Sequence, residues 1–145
     1  MADLLDTEKP AKLKAEDLCV MLRDRFPAAE YALFYEVRDG TGWQASRSAD
    51  ALAIGLWPSR GLEVSGFEVK VSRRDWLNEL RNPAKADAIA GYCDRWWLVV
   101  ADEKIVQPGE LPPTWGLLIP KGLGLRVVRE ADKLTPAPLD RLMVA

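Results

Sequence analysis

The chain has 145 residues, of which 48% are hydrophobic and 29% are charged, and its formal net charge is −2. This length and composition predict one globular domain, residues 1–145, and exclude a disordered or fibrous chain. There is no histidine, and the two cysteines, Cys19 and Cys93, do not form a Cys-x-x-Cys pair. Zinc sites of the Cys/His type and catalysis by Ser-His-Asp or Cys-His groups are therefore excluded.

The N-terminal segment, residues 1–10, is polar and is predicted to be a flexible arm. It has no basic region followed by an apolar stretch, so it does not resemble a signal peptide. No apolar run approaches the roughly 18 residues of a membrane helix, so we expect a cytoplasmic protein without a membrane partner. Apolar residues then recur every three to four positions over Ala11–Phe26, which predicts a helix that Pro27 ends.

Three strands are predicted next, separated by turn signals such as Asp-Gly-Thr-Gly and Pro-Ser-Arg-Gly. Their expected bounds are Tyr31–Val37, Ser48–Trp57 and Leu62–Ser72. Ser72 is a good N-cap for a helix that continues to Leu80. Pro83 can begin a further helix, which is expected to cover Ala84–Tyr92.

The second half of the chain predicts more strands. Arg95–Ala101 is continuously apolar, which is typical of a strand buried on both faces. Trp115–Pro120 and Leu125–Val128 are expected to form a hairpin, and residues 134–145 form a Pro-rich tail. This order predicts an α/β fold: a mixed central β-sheet, made of an antiparallel meander plus a parallel strand, flanked by helices.

The candidate chemistry lies on the second and third predicted strands. Glu68 and Lys70 are two residues apart in an extended segment, so their side chains share one face of the sheet. A meander brings Asp50, on the preceding strand, beside Glu68. Burying an acid and a lysine on one face is costly unless they interact or act in chemistry. An ordinary cross-strand charge cluster is the structural alternative.

These residues suit a hard divalent cation. Mg²⁺ binds one or two protein carboxylates, which Asp50 and Glu68 would supply, and the Val69 carbonyl is a further candidate ligand. Mn²⁺ is expected to substitute for Mg²⁺. Lys70 would then orient or help deprotonate the attacking water, or neutralise charge in the transition state. Such a site hydrolyses phosphodiesters without histidine.

The series of motifs resembles a known family. Asp50, followed by Glu68-Val69-Lys70 in a strand and then a helix, resembles the PD-(D/E)XK nuclease superfamily. The segments 67–77 (FEVKVSRRDWL) and 92–100 (YCDRWWLVV) are similar to MmcB-type DNA repair proteins and related phage-encoded nuclease-like proteins. Arg47-Ser48-Ala49-Asp50 is similar to their Arg-x-Ala-Asp strand, although Ala49 stands where many superfamily members have proline. The resemblance covers about residues 31–128.

This resemblance implies a restriction-endonuclease-like fold with a four-stranded mixed sheet and divalent-metal cleavage of DNA, in repair, recombination or phage DNA processing. Members often add an acidic residue from the first helix or strand. Glu36 is the candidate here, with Glu16 and Asp17 as rivals. Small nucleases on this fold often form homodimers, so a homodimer is a further possibility.

Basic residues after the site are candidates for gripping phosphates. The set is Arg73, Arg74, Arg81, Lys85 and Arg95, and Tyr92 is a candidate for lining the site. Acids alternate with them, namely Asp75, Glu79, Asp87 and Asp94. Such a mixture of charges is equally typical of a solvated helix face. For Tyr92, the alternative is a core contact at the end of a helix. A non-catalytic module that binds nucleic acid or a partner protein is the alternative function, favoured by the acidic net charge.

Overall fold

The computed structural model describes residues 12–38, 48–82, 86 and 89–138. The first described helix, α1, spans Ala15–Arg25. The backbone N–H of Lys14 donates to the Asp17 carboxylate at 2.7 Å, which satisfies a donor at the helix start. Acidic residues in the first turn and basic residues in the last turn suit the helix dipole. The predicted helix is confirmed, with its start at Ala15.

The described residues after α1 form six strands, joined in one sheet in the order β1 to β6. Their bounds are β1 Tyr31–Arg38, β2 Ser48–Gly55, β3 Val64–Lys70, β4 Arg95–Val100, β5 Gly116–Lys121 and β6 Gly124–Arg129. The first three strands pair antiparallel, β3 pairs parallel with β4, and β5 and β6 form an antiparallel hairpin. The predicted α/β fold with a mixed sheet is confirmed. The sheet has six strands rather than the four that the resemblance implied.

Helix α2, Arg73–Leu80, begins the connection between the parallel strands β3 and β4. The Ser72 hydroxyl accepts a hydrogen bond from the backbone N–H of Asp75 at 3.1 Å, so the predicted N-cap is confirmed. The predicted helix over Ala84–Tyr92 lies partly outside the described residues, although Ala86, Ile89 and Ala90 are helical. The predicted arm over residues 1–10 lies outside them entirely.

Each face of the sheet buries its own apolar cluster. α1 packs over Ala51, Phe67 and Val99 on one face, through Leu18 and Leu22. The opposite face packs against α2 and against Ala86, Ile89 and Ala90. Its tryptophans meet there: Trp76 and Trp96 each contact the Trp115 ring, at centroid distances of 6.0 and 6.1 Å. Alternation along β3 sends Phe67 to the α1 face and Glu68 to the α2 face.

The described C-terminal segment runs back across the sheet end. The backbone N–H groups of Leu134 and Ala137 donate to the carbonyls of Asp94 and Gly91. The start of the predicted 134–145 tail is therefore hydrogen-bonded to the domain, and residues 139–145 lie outside the described part. Among the helices described here, none is long and apolar enough to cross a membrane.

Candidate active site

The site begins where β2 separates from β3. The antiparallel register between these strands ends at the pair Ala51 and Phe67, and the next pair in that register is Asp50 and Glu68. The Asp50 side chain reaches across the gap, and its Oδ2 accepts a hydrogen bond from the Val69 backbone N–H at 2.7 Å. A carboxylate thus takes the position of a strand carbonyl and holds Asp50 against β3.

The Val69 carbonyl faces the same gap. In a strand, the N–H and C=O groups of one residue point toward the same neighbouring strand, and those of the next residue point the opposite way. The Lys70 carbonyl accepts a hydrogen bond from the Ala101 N–H at 3.2 Å, on the β4 side. The Val69 carbonyl therefore points toward β2, where its own N–H meets Asp50. Two of the three predicted metal-ligand groups, on Asp50 and Val69, lie together.

Glu68 and Lys70 share the α2 face of β3, as their spacing predicts. Glu68 is only 5% exposed, and its Oε2 lies 3.7 Å from the Lys70 Nζ. The pKa of Glu68 is raised to about 9, first by burial and then by the nearby charges of Asp50 and Glu79, against the opposing effect of Lys70. A hydrogen bond between the Asp50 and Glu68 side chains makes a further, smaller contribution to the raised pKa. These two acids are therefore close enough to repel when both are ionised.

A third carboxylate, on Glu79 of α2, completes the cluster. Its Oε2 lies 3.2 Å from the Lys70 Nζ, closer than the Glu68 oxygen. Glu79 is 6% exposed, and its Oε1 is buried without a hydrogen-bond partner. The alternation of acidic and basic residues predicted a solvated helix face for Glu79, and for this residue that prediction is wrong. The signal was present in the spacing, since Glu79 follows the buried Trp76 by three residues and so shares its face of α2.

Lys70 is held between the two glutamates. Its side chain is 17% exposed. Burial alone would lower the pKa of Lys70, but Glu79 first, and then Glu68, outweigh that effect and raise it. The ammonium therefore stays charged at neutral pH.

Glu36 lies beside Asp50 on β1. Tyr35 pairs with Ala51 and Val37 with Ala49, so Glu36 is opposite Asp50 in the register. It is exposed and has a positive φ of 51°, which interrupts the regular strand. Burial, followed by the charges of Asp50, Glu16 and Glu36, raises the pKa of the half-buried Cys19 thiol on α1. Glu36 and its rival Glu16 are therefore both near this thiol.

The remaining candidates have different surroundings. Asp17, the other alternative to Glu36, accepts a hydrogen bond from the Lys14 backbone N–H at the start of α1. The Arg73 guanidinium forms a two-point ion pair with Glu110, including a 2.6 Å hydrogen bond, and donates to the Ile105 carbonyl at 2.7 Å. The Arg73 guanidinium thus holds the loop after β4 through its bonds to Ile105 and Glu110. Arg74 is exposed, Tyr92 packs partly buried against the core on the α2 face, and Lys85 lies outside the described residues.

The donor set fits a magnesium ion chemically. Mg²⁺ in proteins is commonly held by one or two carboxylates with oxygen ligands from elsewhere, and it needs no nitrogen or sulfur. Asp50, Glu68 and the Val69 carbonyl supply oxygen only, and a cation between the carboxylates would relieve the repulsion by Asp50 that adds to the effect of burial on the Glu68 pKa. Across the residues that the structure describes, no three Asp, Glu, Cys or His side chains form a ready-made metal cage.

A separate cleft of about 700 Å³ lies at the other end of β3. Arg25, Tyr31, Ser65, Arg95 and Trp97 are among its lining residues. Ser65 precedes Glu68 by three residues, about 10 Å along a strand, and its side chain points to the opposite face. The carboxylate cluster is therefore not part of this cleft.

Comparison with known proteins identifies a shared fold. The chain matches a solved protein of unknown function, SPO1766 from Silicibacter pomeroyi, with 25% sequence identity and a TM-score of 0.58. The match covers 91% of this chain and 78% of that chain. No family model and no curated protein matches the sequence.

Proposed function

We propose that this protein is a divalent-metal-dependent nuclease that hydrolyses phosphodiester bonds, with DNA as its substrate. The observation that carries the proposal is the meeting of Asp50, Glu68, the Val69 carbonyl and Lys70 where β2 leaves β3. The motif series that resembles the PD-(D/E)XK superfamily and MmcB-type repair proteins supports it. Repair, recombination or phage DNA processing, in the cytoplasm, are the corresponding settings.

Each group has a defined task in this proposal. Asp50, Glu68 and the Val69 carbonyl hold Mg²⁺, or Mn²⁺ in its place, which supplies positive charge against the phosphate when bound. Lys70 keeps its ammonium charged beside them and stabilises the negative charge that develops on the phosphate, or orients the attacking water. Glu36, exposed opposite Asp50, is an additional acidic group at the rim of the site.

DNA is proposed to bind through a few basic side chains near the site rather than through an overall positive charge. The net charge of −2 gives no overall attraction to a polyanion, so exposed basic side chains near the site, Arg74 first, would carry the phosphate contacts. Arg73 would contribute indirectly, because its guanidinium holds the loop after β4. A homodimer would provide two such sites and thereby cleavage of both strands.

The deciding experiment compares two substitutions of Asp50. Asp50→Asn keeps an oxygen that accepts the Val69 hydrogen bond but loses the charge that binds a cation, whereas Asp50→Ala loses both. Supercoiled plasmid, linear duplex and single-stranded DNA are incubated with wild-type protein and Mg²⁺ or Mn²⁺. We expect cleavage by wild type, and a folded Asp50→Asn protein that cuts at less than about 1% of that rate.

The matched outcomes separate the alternatives. Asp50→Ala should in addition lose stability, by about 1–3 kcal/mol, because the Val69 N–H is left unpaired. An Asp50→Asn protein that cuts at the wild-type rate would contradict the metal site. Wild-type protein that binds DNA with measurable affinity but never cuts it would instead indicate a non-catalytic binding module.

A further inference from the structure

We infer that Glu79 is a positioning residue that anchors the Lys70 ammonium from α2 and so leaves the Glu68 carboxylate available for the metal ion. This inference deepens the proposed nuclease function and rests on it. Its starting observation is geometric: the Lys70 Nζ is 3.2 Å from Glu79 and 3.7 Å from Glu68.

The position of Glu79 removes a competition between Lys70 and a metal ion for the Glu68 carboxylate. Glu68 and Lys70 are neighbours on one face of β3, so a direct ion pair between them is the simplest way to neutralise both. A Glu68 carboxylate engaged in such a pair would have to release Lys70 before binding a cation. A second carboxylate beside the ammonium, on α2, removes this competition, because Lys70 remains paired while Glu68 changes partner.

Burial makes a merely incidental role for Glu79 unfavourable. Its side chain is 5% exposed, and one of its two oxygens has no hydrogen-bond partner. A buried carboxylate with an unsatisfied oxygen costs free energy, and an apolar residue at this position of an otherwise apolar helix face would avoid that cost. The compensation seen in the structure is the ion pair to Lys70.

Helix α2 is well suited to hold an anchor in place. Ser72 caps its start, Trp76 is fully buried, and the Trp76 indole N–H donates to Glu110 at 3.3 Å. The same Glu110 carboxylate pairs with Arg73 on the first turn of the helix. Side chains that are fixed in this way by their surroundings move little. A reacting group needs such fixed neighbours to stay correctly oriented.

The test replaces Glu79 with glutamine, which keeps the shape and removes the charge. The first measurement follows the mobility of the Lys70 ammonium by ¹⁵N relaxation of its Nζ group. We expect the ammonium of wild-type protein to be ordered, to become mobile in Glu79→Gln, and to remain ordered in Glu68→Gln. An ammonium that stays ordered in Glu79→Gln, or that loosens only in Glu68→Gln, would overturn the inference.

The second measurement is the cleavage rate at saturating Mn²⁺. Loss of a supporting contact of this type costs about 10- to 100-fold in rate. We expect that loss in kcat for Glu79→Gln, with KM and the affinity for Mn²⁺ within a few-fold of wild type, and a partial recovery in Glu79→Asp. A purely structural Glu79 would lower stability and leave cleavage per folded molecule unchanged.

Controls keep the two proposals separable. Glu103→Gln removes an exposed carboxylate near α2 and should change neither measurement. If wild-type protein cuts no DNA, the proposed nuclease function fails, and the ammonium mobility still decides whether Glu79 anchors Lys70. If Glu79→Gln does not fold, both measurements are made on Glu79→Asp, in which the carboxylate keeps its charge but the side chain is one methylene shorter.

Discussion

The two halves of β3 differ in how they are held. From Val64 to Phe67 the strand is paired with β2 on one side, and from Ser65 onward with β4 on the other. Its Gly66 lies so close to Trp96 that an added Cβ would be 2.2 Å from the ring. From Glu68 to Lys70 the pairing with β4 continues, but on the other side the Asp50 side chain stands in place of β2.

This difference separates the half of the strand that packs against Trp96 from the half that carries the proposed site. The first half is tightly packed, with Phe67 fully buried and Gly66 close to Trp96, and so it stabilises the sheet. The second half carries Glu68, whose pKa is raised by burial and by the charges of Asp50 and Glu79, and strongly raised pKa values of this kind are common at functional sites. The packed first half thus helps to hold Glu68 in a buried position that is costly for its ionised form.

The largest effect is expected at Lys70. In Lys70→Met the positive charge is lost, and loss of this kind of assistance lowers a cleavage rate by about 10²–10⁴-fold, or roughly 3–5 kcal/mol in barrier. The protein should also melt at a lower temperature, because Glu79 loses its counter-ion. The double variant Lys70→Met/Glu79→Gln should recover much of the stability and none of the cleavage. Activity and melting are measured on the same preparations.

Lys104→Met is the matched control, since Lys104 is exposed and the chemical change is identical. It should leave both activity and melting near wild type. A folded Lys70→Met protein that cuts DNA at a rate close to wild type would rule out a catalytic role for Lys70.

The next effect concerns pH and Glu68. Folded Glu68 keeps its proton up to about pH 9, whereas its ordinary pKa is 4.5. Folded protein thus binds one more proton than unfolded protein between these values, and its free energy of unfolding decreases as pH rises through this window. The slope from this group is at most about 1.4 kcal/mol per pH unit. Glu68→Gln should lack this contribution and be more stable than wild type at pH 8.

Denaturant unfolding of metal-free protein at pH 6, 7 and 8 measures the slope. Because other groups titrate as well, the informative quantity is the difference between wild type and Glu68→Gln, with Glu103→Gln as the exposed control. Parallel stability curves for wild type and Glu68→Gln would mean that Glu68 is ionised in the folded protein at neutral pH.

A smaller effect is expected in the packed half of β3. Gly66→Ala places a Cβ 2.2 and 2.4 Å from two Trp96 ring carbons and 3.0 Å from the Cys93 sulfur. Overpacking of this kind costs about 1–3 kcal/mol, so the melting temperature should fall by several degrees. Gly55→Ala on β2 is the control, because its Cβ would meet only backbone atoms at 3.6–3.8 Å. Equal melting temperatures for the two variants would show that Trp96 moves aside freely.

Much of the fold follows from short stretches of sequence. The apolar spacing in α1, the hydroxyl of Ser72 before α2 and the continuous apolar run of β4 each predict an element that the structure contains. The period of two along a strand also predicts that Glu68 and Lys70 share a face. Such features depend on backbone geometry over a few residues, and neighbouring residues alone determine them.

The sequence by itself determined that the chain is an α/β domain without histidine chemistry and that Glu68 and Lys70 are neighbours. Only the tertiary structure decided that the pairing of β2 with β3 ends at Ala51 and Phe67, that Asp50 binds the Val69 N–H, and that the Glu79 carboxylate pairs with Lys70. The reason is physical: burial and hydrogen-bond partners depend on which segments meet in space. A charged residue on an amphipathic helix carries no local mark of the side chain that will neutralise it.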